Sequence, residues 1–481
     1  MKFGLEENII EKITRVLEDQ PKVDKAYIFG SRAKGNYRPD SDIDIALKGY
    51  DLTVEDILKT GAAIDKSGIG HELDLVDYDS ITEPKLLEHI DRVGTTFYKR
   101  WQDYKLNEVG TLQRGKSRHR PRYAFHLYGG NYPFIQTGDI TEASKYITSY
   151  KQTYSEAGLA QSRLWKKGTL CITIAANIAE VAILDIDACF PDSIIGFIPD
   201  KQKSDLDYVF YTLIYYQRQL QQMGDGSVQD NINLGTFEQI KFPFPPLKEQ
   251  QIIADTLSSL DYKIDLLHRQ NKTLESMAEA LFKHWFVEKG EDDWEEKSLT
   301  EIARYLNGLA LQNFPAKGNE YLPVIKIREL KQGNTENSDI CDANIPLDYI
   351  VKNGDVLFSW SGSLEIVLWA GKTGALNQHL FKITSQEYPK WLYYLATKYH
   401  LAYFKAVAES KSTTMGHIQR HHLEGAKISI PPQPLLEKLN AIFEPLIIKE
   451  VKNNEQILSL LDLRDALLPK LLSGEARVKI S

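Results

Sequence analysis

Residues 246–286 read PLKEQQIIADTLSSLDYKIDLLHRQNKTLESMAEALFKHWF. Their apolar positions Leu257, Leu260, Ile264, Leu267, Leu274, Ala278 and Leu281 step by alternating threes and fours, with Asn271 in the same seam. That is a heptad stripe, and such a face must pack against another helix. A helix of this length spans roughly 60 Å at 1.5 Å per residue. Pro245 and Pro246 precede it, where proline marks a helix start. One Asn in the seam fixes register at some cost in stability.

A second copy supplies the partner. Residues 431–472 read PPQPLLEKLNAIFEPLIIKEVKNNEQILSLLDLRDALLPKLL and open on another Pro-Pro pair. Leu439, Phe443, Leu446, Leu460 and Leu467 fall where Ile253, Leu257, Leu260, Leu274 and Leu281 fall in the first copy. The segments ahead of the two helices also echo each other. Trp101-x4-Leu106-x-Glu108-Val109 returns as Trp294-x4-Leu299-x-Glu301-Ile302, and Tyr132-Pro133-Phe134-Ile135 as Leu322-Pro323-Val324-Ile325. Lys167-Gly168-Thr169-Leu170 returns as Asn353-Gly354-Asp355-Val356, a turn into a buried strand. A period of roughly 190 residues is too long for a solenoid, so this is a duplicated domain. Glu288-Lys289-Gly290-Glu291-Asp292-Asp293 reads as a charged joint between the copies, whereas Tyr98-Lys99-Arg100-Trp101 offers no linker.

Composition sets outer bounds. The chain has 481 residues, 42% hydrophobic and 26% charged, which suits about three globular units with cores of their own. A net charge of −8 argues against coating nucleic acid unaided, but leaves room for local basic surfaces. Cys171, Cys189 and Cys341 are scattered without metal spacing, as expected in a reducing cytosol. The acidic start MKFGLEENIIEKI is not a signal peptide, and no apolar run approaches a membrane span. The expected location is cytoplasmic.

The first hundred residues carry different chemistry. Lys25-Ala26-Tyr27-Ile28-Phe29 is an apolar strand running into Gly30-Ser31-Arg32-Ala33-Lys34-Gly35. Residues 41–47, SDIDIAL, form a second strand, with Asp42 and Asp44 on one side and Ile43 and Ile45 facing a core. A third acidic strand follows, His71-Glu72-Leu73-Asp74-Leu75-Val76-Asp77. Three carboxylates brought together repel each other unless a cation sits between them, and Mg²⁺ with substrate phosphates is the usual answer. Phosphoryl and nucleotidyl transfer need that arrangement. Gly30 lets backbone approach a phosphate, and Ser31 with adjacent amides can donate to it.

These residues resemble the minimal nucleotidyltransferases of the polymerase-β-like superfamily. The signature Gly-Ser-x-Ala-x-Gly followed by Ser-Asp-x-Asp is present intact, and the likeness runs to the closing Gly94-Thr95-Thr96-Phe97-Tyr98. The resemblance implies Asp42 and Asp44 as catalytic metal ligands, and it puts the third metal carboxylate at Asp74. Glu72 faces the same side and stands as reserve, while Asp77 faces the other. Gly30, Ser31 and Arg32 are the expected nucleotide-binding residues, with Mg²⁺ and a nucleoside triphosphate as cofactors.

Two similar units on a helical rod suit a split linear target, and DNA is the obvious one. Arg114-Gly115-Lys116-Ser117-Arg118-His119-Arg120-Pro121-Arg122 is strongly basic within an acidic chain. Arg114, Lys116, Arg118 and Arg120 are therefore candidate DNA contacts. The turn-rich residues 224–233 offer Gln229, Asn231 and Asn233, amides of the type that pair with adenine edges. Their counterpart, residues 411–422, offers Lys411, Thr413, Gln419 and Arg420, beside Thr414, His417 and His421.

Over about residues 101–481 this architecture resembles the specificity subunit of type I restriction–modification systems. Phe242-Pro243-Phe244-Pro245-Pro246-Leu247-x-Glu249-Gln250 looks like that family's start of the first helical spacer. Leu463-Arg464-x2-Leu467-Leu468-Pro469-Lys470-Leu471-Leu472-x-Gly474 looks like its close of the second. The second start departs from the pattern, with Leu436-Glu437-Lys438 where Glu-Gln is expected. The resemblance implies a bipartite double-stranded DNA target, with one domain per half-site. It also implies docking of methyltransferase subunits and a restriction subunit, which alone would bring AdoMet and ATP.

The expected fold is therefore an α+β multidomain chain. Residues 1–100 form the nucleotidyltransferase domain, and 101–246 and 291–432 two α/β target-recognition domains. Residues 247–290 and 433–481 give two long helices packed as an antiparallel coiled coil. The large part is a binding module without catalysis of its own, and the small part is an enzyme. An alternative makes the enzyme primary: an antitoxin-like transferase modifies a protein or RNA partner that the repeated domains present. A P-loop pattern at Gly110-x4-Gly115-Lys116-Ser117 lacks its context, because a basic, Pro-interrupted segment follows instead of a helix. His417 and His421 lie in a loop and make a weak metal motif. No Asn/Asp-Pro-Pro-Tyr/Phe motif appears, so this chain does not methylate DNA by itself.

Overall fold

The structure is a computed structural model that describes all residues except 1, 120, 122–123, 176–177, 226–233, 291–293, 319, 336, 411–415 and 479–481. By contacts the chain divides into two compact units, Met1–Ser258 with Ala466–Ser481, and Ser259–Asp465. The divisions fall inside the two long helices, Leu247–Lys283 and Gln433–Ser473, so each unit holds part of both.

The first unit begins with a small α/β domain. Its strands β1 (Val23–Ile28), β2 (Ile43–Gly49), β3 (Leu73–Asp77) and β4 (Thr95–Lys99) form one sheet in the order β3-β2-β1-β4. Alternation sets the burial: Ile43, Ile45 and Leu47 enter a core with Ile13, Leu17, Ile28, Ile64 and Phe97. The helix Val54–Lys66 starts at a capping box, in which Thr53 and Asp56 satisfy each other's backbone N–H groups.

No linker follows β4. Arg100 is buried and donates to the carbonyls of Glu18 and Gln20 at 3.2 and 3.1 Å. Its Nε reaches Glu249, in the first turn of the first long helix, at 2.6 Å. Arg477, near the end of the chain, donates to the Pro21 carbonyl and pairs with Asp24. The nucleotidyltransferase-like domain is thus bolted to the place where the first long helix starts and the second ends.

The duplication is explicit in the topology. The first repeat has the order Gly110–Arg114, Ile194–Pro199, Leu170–Thr173, Val181–Leu184, with Tyr146–Ile147 as a fifth strand; the second has the same four, Arg304–Asn307, Leu380–Thr384, Val356–Ser359, Ile366–Leu368. The sequence echoes have physical causes. Glu108 and Glu301 each accept from a backbone N–H three residues back, Lys105 at 2.7 Å and Ser298 at 2.6 Å, capping matching short helices. Gly168 and Gly354 hold φ of 84° and 81°, conformations that suit glycine, just before the buried strands. The strand before each Pro-Pro pair closes on the strand after each Trp: Lys241–Phe244 on Gln102–Lys105, and Lys427–Ile430 on Glu295–Ser298.

The two long helices run antiparallel. Within the second unit, Asp261 meets Arg464 at 3.1 Å and Asn271 meets Asn454 at 2.6 Å. In the middle of the heptad seam helix packs on helix alone, with Ile264 and Leu267 against Ile457 and Leu460. Towards the ends the seam residues of both helices also enter the globular cores. Ile253 and Leu257 join Leu471 and Leu472 in the first repeat's core, and Ala278 and Phe282 join Leu439 and Phe443 in the second's. Of the expected joint, residues 291–293 lie outside the described residues, and the first long helix ends in a π-helical turn, His284–Glu288. Among the described residues no helix is long and apolar enough to cross a membrane.

Candidate active site and nucleic-acid interface

β1 delivers the chain to Gly30, and its antiparallel pairing with β2 sets Ile28 opposite Ile45. Phe29 N–H donates to the Asp44 carbonyl at 3.0 Å, which locks Gly30 beside that residue. β2 and β3 run parallel with Asp44 opposite Asp74, so both carboxylates stand on one face. Asp42 lies two residues earlier on the same side, exposed, as Asp74 is. Burial, then the Asp74 and Asp42 carboxylates, hold the Asp44 carboxyl above the ordinary carboxylate range, while His89 and Arg32 oppose them. Glu72 is exposed, immediately ahead of β3.

Gly30 has φ +70°, and a Cβ added there would sit 2.1 Å from Asp44 Oδ2. The glycine is needed for the carboxylate as much as for any phosphate. Ser31 follows it in the short helix Gly30–Lys34. Arg32 differs from expectation. It is 2% exposed, and its guanidinium donates to the carbonyls of Ser41 at 2.6 Å, Asp42 at 3.1 Å and Phe3 at 3.3 Å, with His71 Nδ1 at 3.3 Å. Those bonds pin the backbone that enters β2. Arg32 therefore positions Asp42 and Asp44, and its donors turn inward.

Among the described residues no three His, Cys, Asp or Glu side chains form a metal cage by themselves. Mg²⁺ does not require one: it is commonly held by one or two carboxylates, with water and substrate phosphates completing the shell. Like charges crowded on Asp44 fit such an ion, which would supply charge neutralisation on a triphosphate.

In the first repeat Arg114 ends its strand, exposed, with Nε donating to the Asp192 carbonyl at 2.9 Å. The next residues are strapped down by their backbone. Lys116 N–H reaches Phe190 O at 3.1 Å, and the N–H groups of Arg118 and His119 reach Gln161 Oε1 at 2.6 and 3.0 Å. The side chains of Lys116 and Arg118 are left exposed. Arg163, which the sequence did not single out, stacks its guanidinium 3.9 Å from the centre of the Trp165 ring and bonds Gln113. An Arg two residues before a Trp, next to the strap, was the available signal. Residues 110–114 are a strand with no helix behind them, so the P-loop pattern is not a P-loop.

Arg120, Gln229, Asn231, Asn233, Lys411 and Thr413 lie outside the described residues. Gln419 caps the short helix Arg420–Gly425, its backbone N–H donating to His422 Nδ1 at 2.9 Å, and Arg420 is exposed.

The model of the type I restriction modification DNA specificity domain matches residues 98–276 and again 291–461, one match on each repeat. The chain belongs to that family. The type I restriction enzyme MjaIX specificity subunit of Methanocaldococcus jannaschii is 28% identical over 415 residues, covering 79% of this chain and 94% of that protein. The HindI specificity subunit of Haemophilus influenzae is 21% identical, covering 78% of this chain and 99% of that protein. Among solved structures, the type I system S subunit of M. genitalium aligns with a TM-score of 0.49 at 18% identity, over 79% of this chain and 97% of that one. The polymerase beta nucleotidyltransferase model matches residues 11–103, a range that includes Gly30, Ser31, Asp42, Asp44 and Asp74. This member of the specificity family therefore carries a nucleotidyltransferase domain at its N-terminal end.

Proposed function

We propose that the chain reads a bipartite DNA target for a type I restriction–modification complex and docks methyltransferase subunits along its two long helices. The observation that carries the reading is the doubled topology: two sheets that share a four-strand order, each packed with the start of one long helix and the end of the other. A chain duplicated in this way carries two like readers, and paired readers suit targets in two halves. Arg114, Lys116, Arg118 and Arg163 supply a basic surface in the first half, which favours phosphate contact. Gln419 and Arg420 remain candidate contacts in the second half, and Arg120, Gln229, Asn231, Asn233, Lys411 and Thr413 remain part of the proposal. A random duplex library in an electrophoretic shift, with and without methyltransferase subunits, tests the reading. Retention of a selected subset supports it, and no selection under either condition contradicts it.

The N-terminal domain acts in this reading as a Mg²⁺-dependent nucleotidyltransferase. Asp42, Asp44 and Asp74 would hold the metal, which would neutralise charge on the triphosphate. Gly30 and Ser31 lie against the phosphates, and Arg32 holds the strand. The enzyme-first alternative keeps this same acidic trio and makes the repeats a device for presenting a protein or RNA partner that the transferase modifies. Asp42→Ala with Asp44→Ala should abolish labelling by α-³²P nucleotide and leave DNA binding intact. Loss of both together would contradict independent modules.

A further inference from the structure

Strand register lets positions be matched between the two repeats. Ile195 pairs with Arg114 in the first, and Phe381 pairs with Asn307 in the second. A glycine follows each, and a Cβ on it would strike an equivalent carbonyl: Pro191 O at 2.3 Å from Gly115, Asn377 O at 2.2 Å from Gly308. Arg114 and Asn307 therefore occupy one position on one edge of the sheet, the edge where two strands end and two begin.

Around Asn307 that edge gathers groups of one kind. Trp360 Nε1 donates to Asn307 Oδ1 at 2.8 Å, and the Trp360 ring lies 5.7 Å from that of His379. His379 Nδ1 is 3.1 Å from Ser361 Oγ, and Gln378 Nε2 is 3.5 Å from His379 Nε2. Asn307 is exposed, and Trp360, Gln378 and His379 are half-buried. The segment after residue 415 leaves from the same edge, with Gly362 N–H on Gly416 O at 2.8 Å and Ile418 N–H on Trp360 O at 2.9 Å.

We propose that Asn307, Gln378 and His379, braced by Trp360, form the base-reading surface of the second repeat and take the major-groove edge of duplex DNA. The inference rests on the DNA-reading function proposed above and names the residues that perform it. Amides pair with adenine N6 and N7, and a side-chain donor reaches guanine N7 and O6. None of the three carries the fixed charge that phosphate contact uses. At the matched position the first repeat carries Arg114 at the head of its basic segment, so the equivalent edges carry different recognition chemistry. The two pieces of this surface lie some seventy residues apart in sequence, roughly, and meet only through strand pairing.

The test uses the full chain with its methyltransferase subunits and a random duplex library, sequenced after selection. His379→Ala, Gln378→Ala and Asn307→Ala should each weaken preference at one or two positions of a single half-site by about 5- to 150-fold, leaving the other half-site unchanged. Arg114→Ala should instead alter binding through the other half-site, or lower it evenly with a salt slope shallower by about 1. A split motif unchanged in all three second-repeat variants overturns the assignment while leaving the DNA-reading function in place. Equal loss at both half-sites also overturns it, because that reports folding rather than reading. A wild-type chain that selects no split motif takes down the parent function and this inference together.

Discussion

Gly30 lies against Asp44 so closely that a single methyl group at the glycine would come within 2.1 Å of the carboxylate oxygen. The glycine also holds φ +70°, a conformation L side chains rarely adopt. Gly30→Ala should therefore displace Asp44 and cut nucleotidyl transfer by about 100-fold or more, the cost of roughly 1 Å of misplacement at a reacting centre. Incorporation of α-³²P nucleotide measures it. Transfer at the wild-type rate would show that Asp44 does not depend on the approach.

Asn271, Asn453 and Asn454 form a polar rung in the middle of the helix pair. Asn453 Nδ2 donates to Asn271 Oδ1 at 2.8 Å and to Gln270 Oε1 at 2.9 Å. Asn453 is 1% exposed, so stranding its amide is expensive. Asn271→Ala should cost about 1–3 kcal/mol in denaturant unfolding. Asn271→Leu with Asn453→Leu and Asn454→Leu should recover stability while loosening register, visible as mixed masses in light scattering. A uniformly monomeric, more stable triple variant would remove the register role.

Arg100 and Glu249 are 1% and 6% exposed, and breaking such a pair leaves a buried charge without its partner. Arg100→Ala should cost about 3–5 kcal/mol. Replacing both residues with leucine should recover most of it. Because Arg100 also holds the Glu18 and Gln20 carbonyls, limited proteolysis of the alanine variant should cut near residue 100. Unchanged proteolysis would mean that the domain is held elsewhere.

Glu450 gives the second unit a pH response. Burial, then Glu275, raises its carboxyl to about 7, against the pull of Lys398. The folded chain thus holds this proton more tightly than the unfolded one. Its contribution to stability is full below about pH 4.5 and is lost as pH rises through about 7. Glu450→Gln should flatten the fall in thermal midpoint between about pH 5 and 8. Identical profiles for wild type and variant would contradict the assignment.

Much of this was legible in the chain itself. The repeat showed because caps and turns need particular residues at fixed offsets: Glu108 and Glu301, Gly168 and Gly354. The acidic trio showed because strand alternation fixes which side Asp42 and Asp44 take. Arg32 misled, since an arginine beside Gly-Ser looks like a phosphate ligand. Its burial under the Ser41 and Asp42 carbonyls is a tertiary fact. The heptad stripe named the seam and its partner helix but not the globular cores that share its ends, because a seam residue such as Leu257 or Phe443 serves a core as readily as a second helix. Asn307 and His379 carried no local pattern at all; only the sheet brings them together.

The claim under all of this is that two equivalent halves each read one block of DNA. The direct measurement is selection of a random duplex library by the full chain with its methyltransferase subunits, read out position by position. Two short specified blocks separated by a fixed run of unspecified base pairs is the predicted result. One continuous block, or no selection at all, would contradict the account.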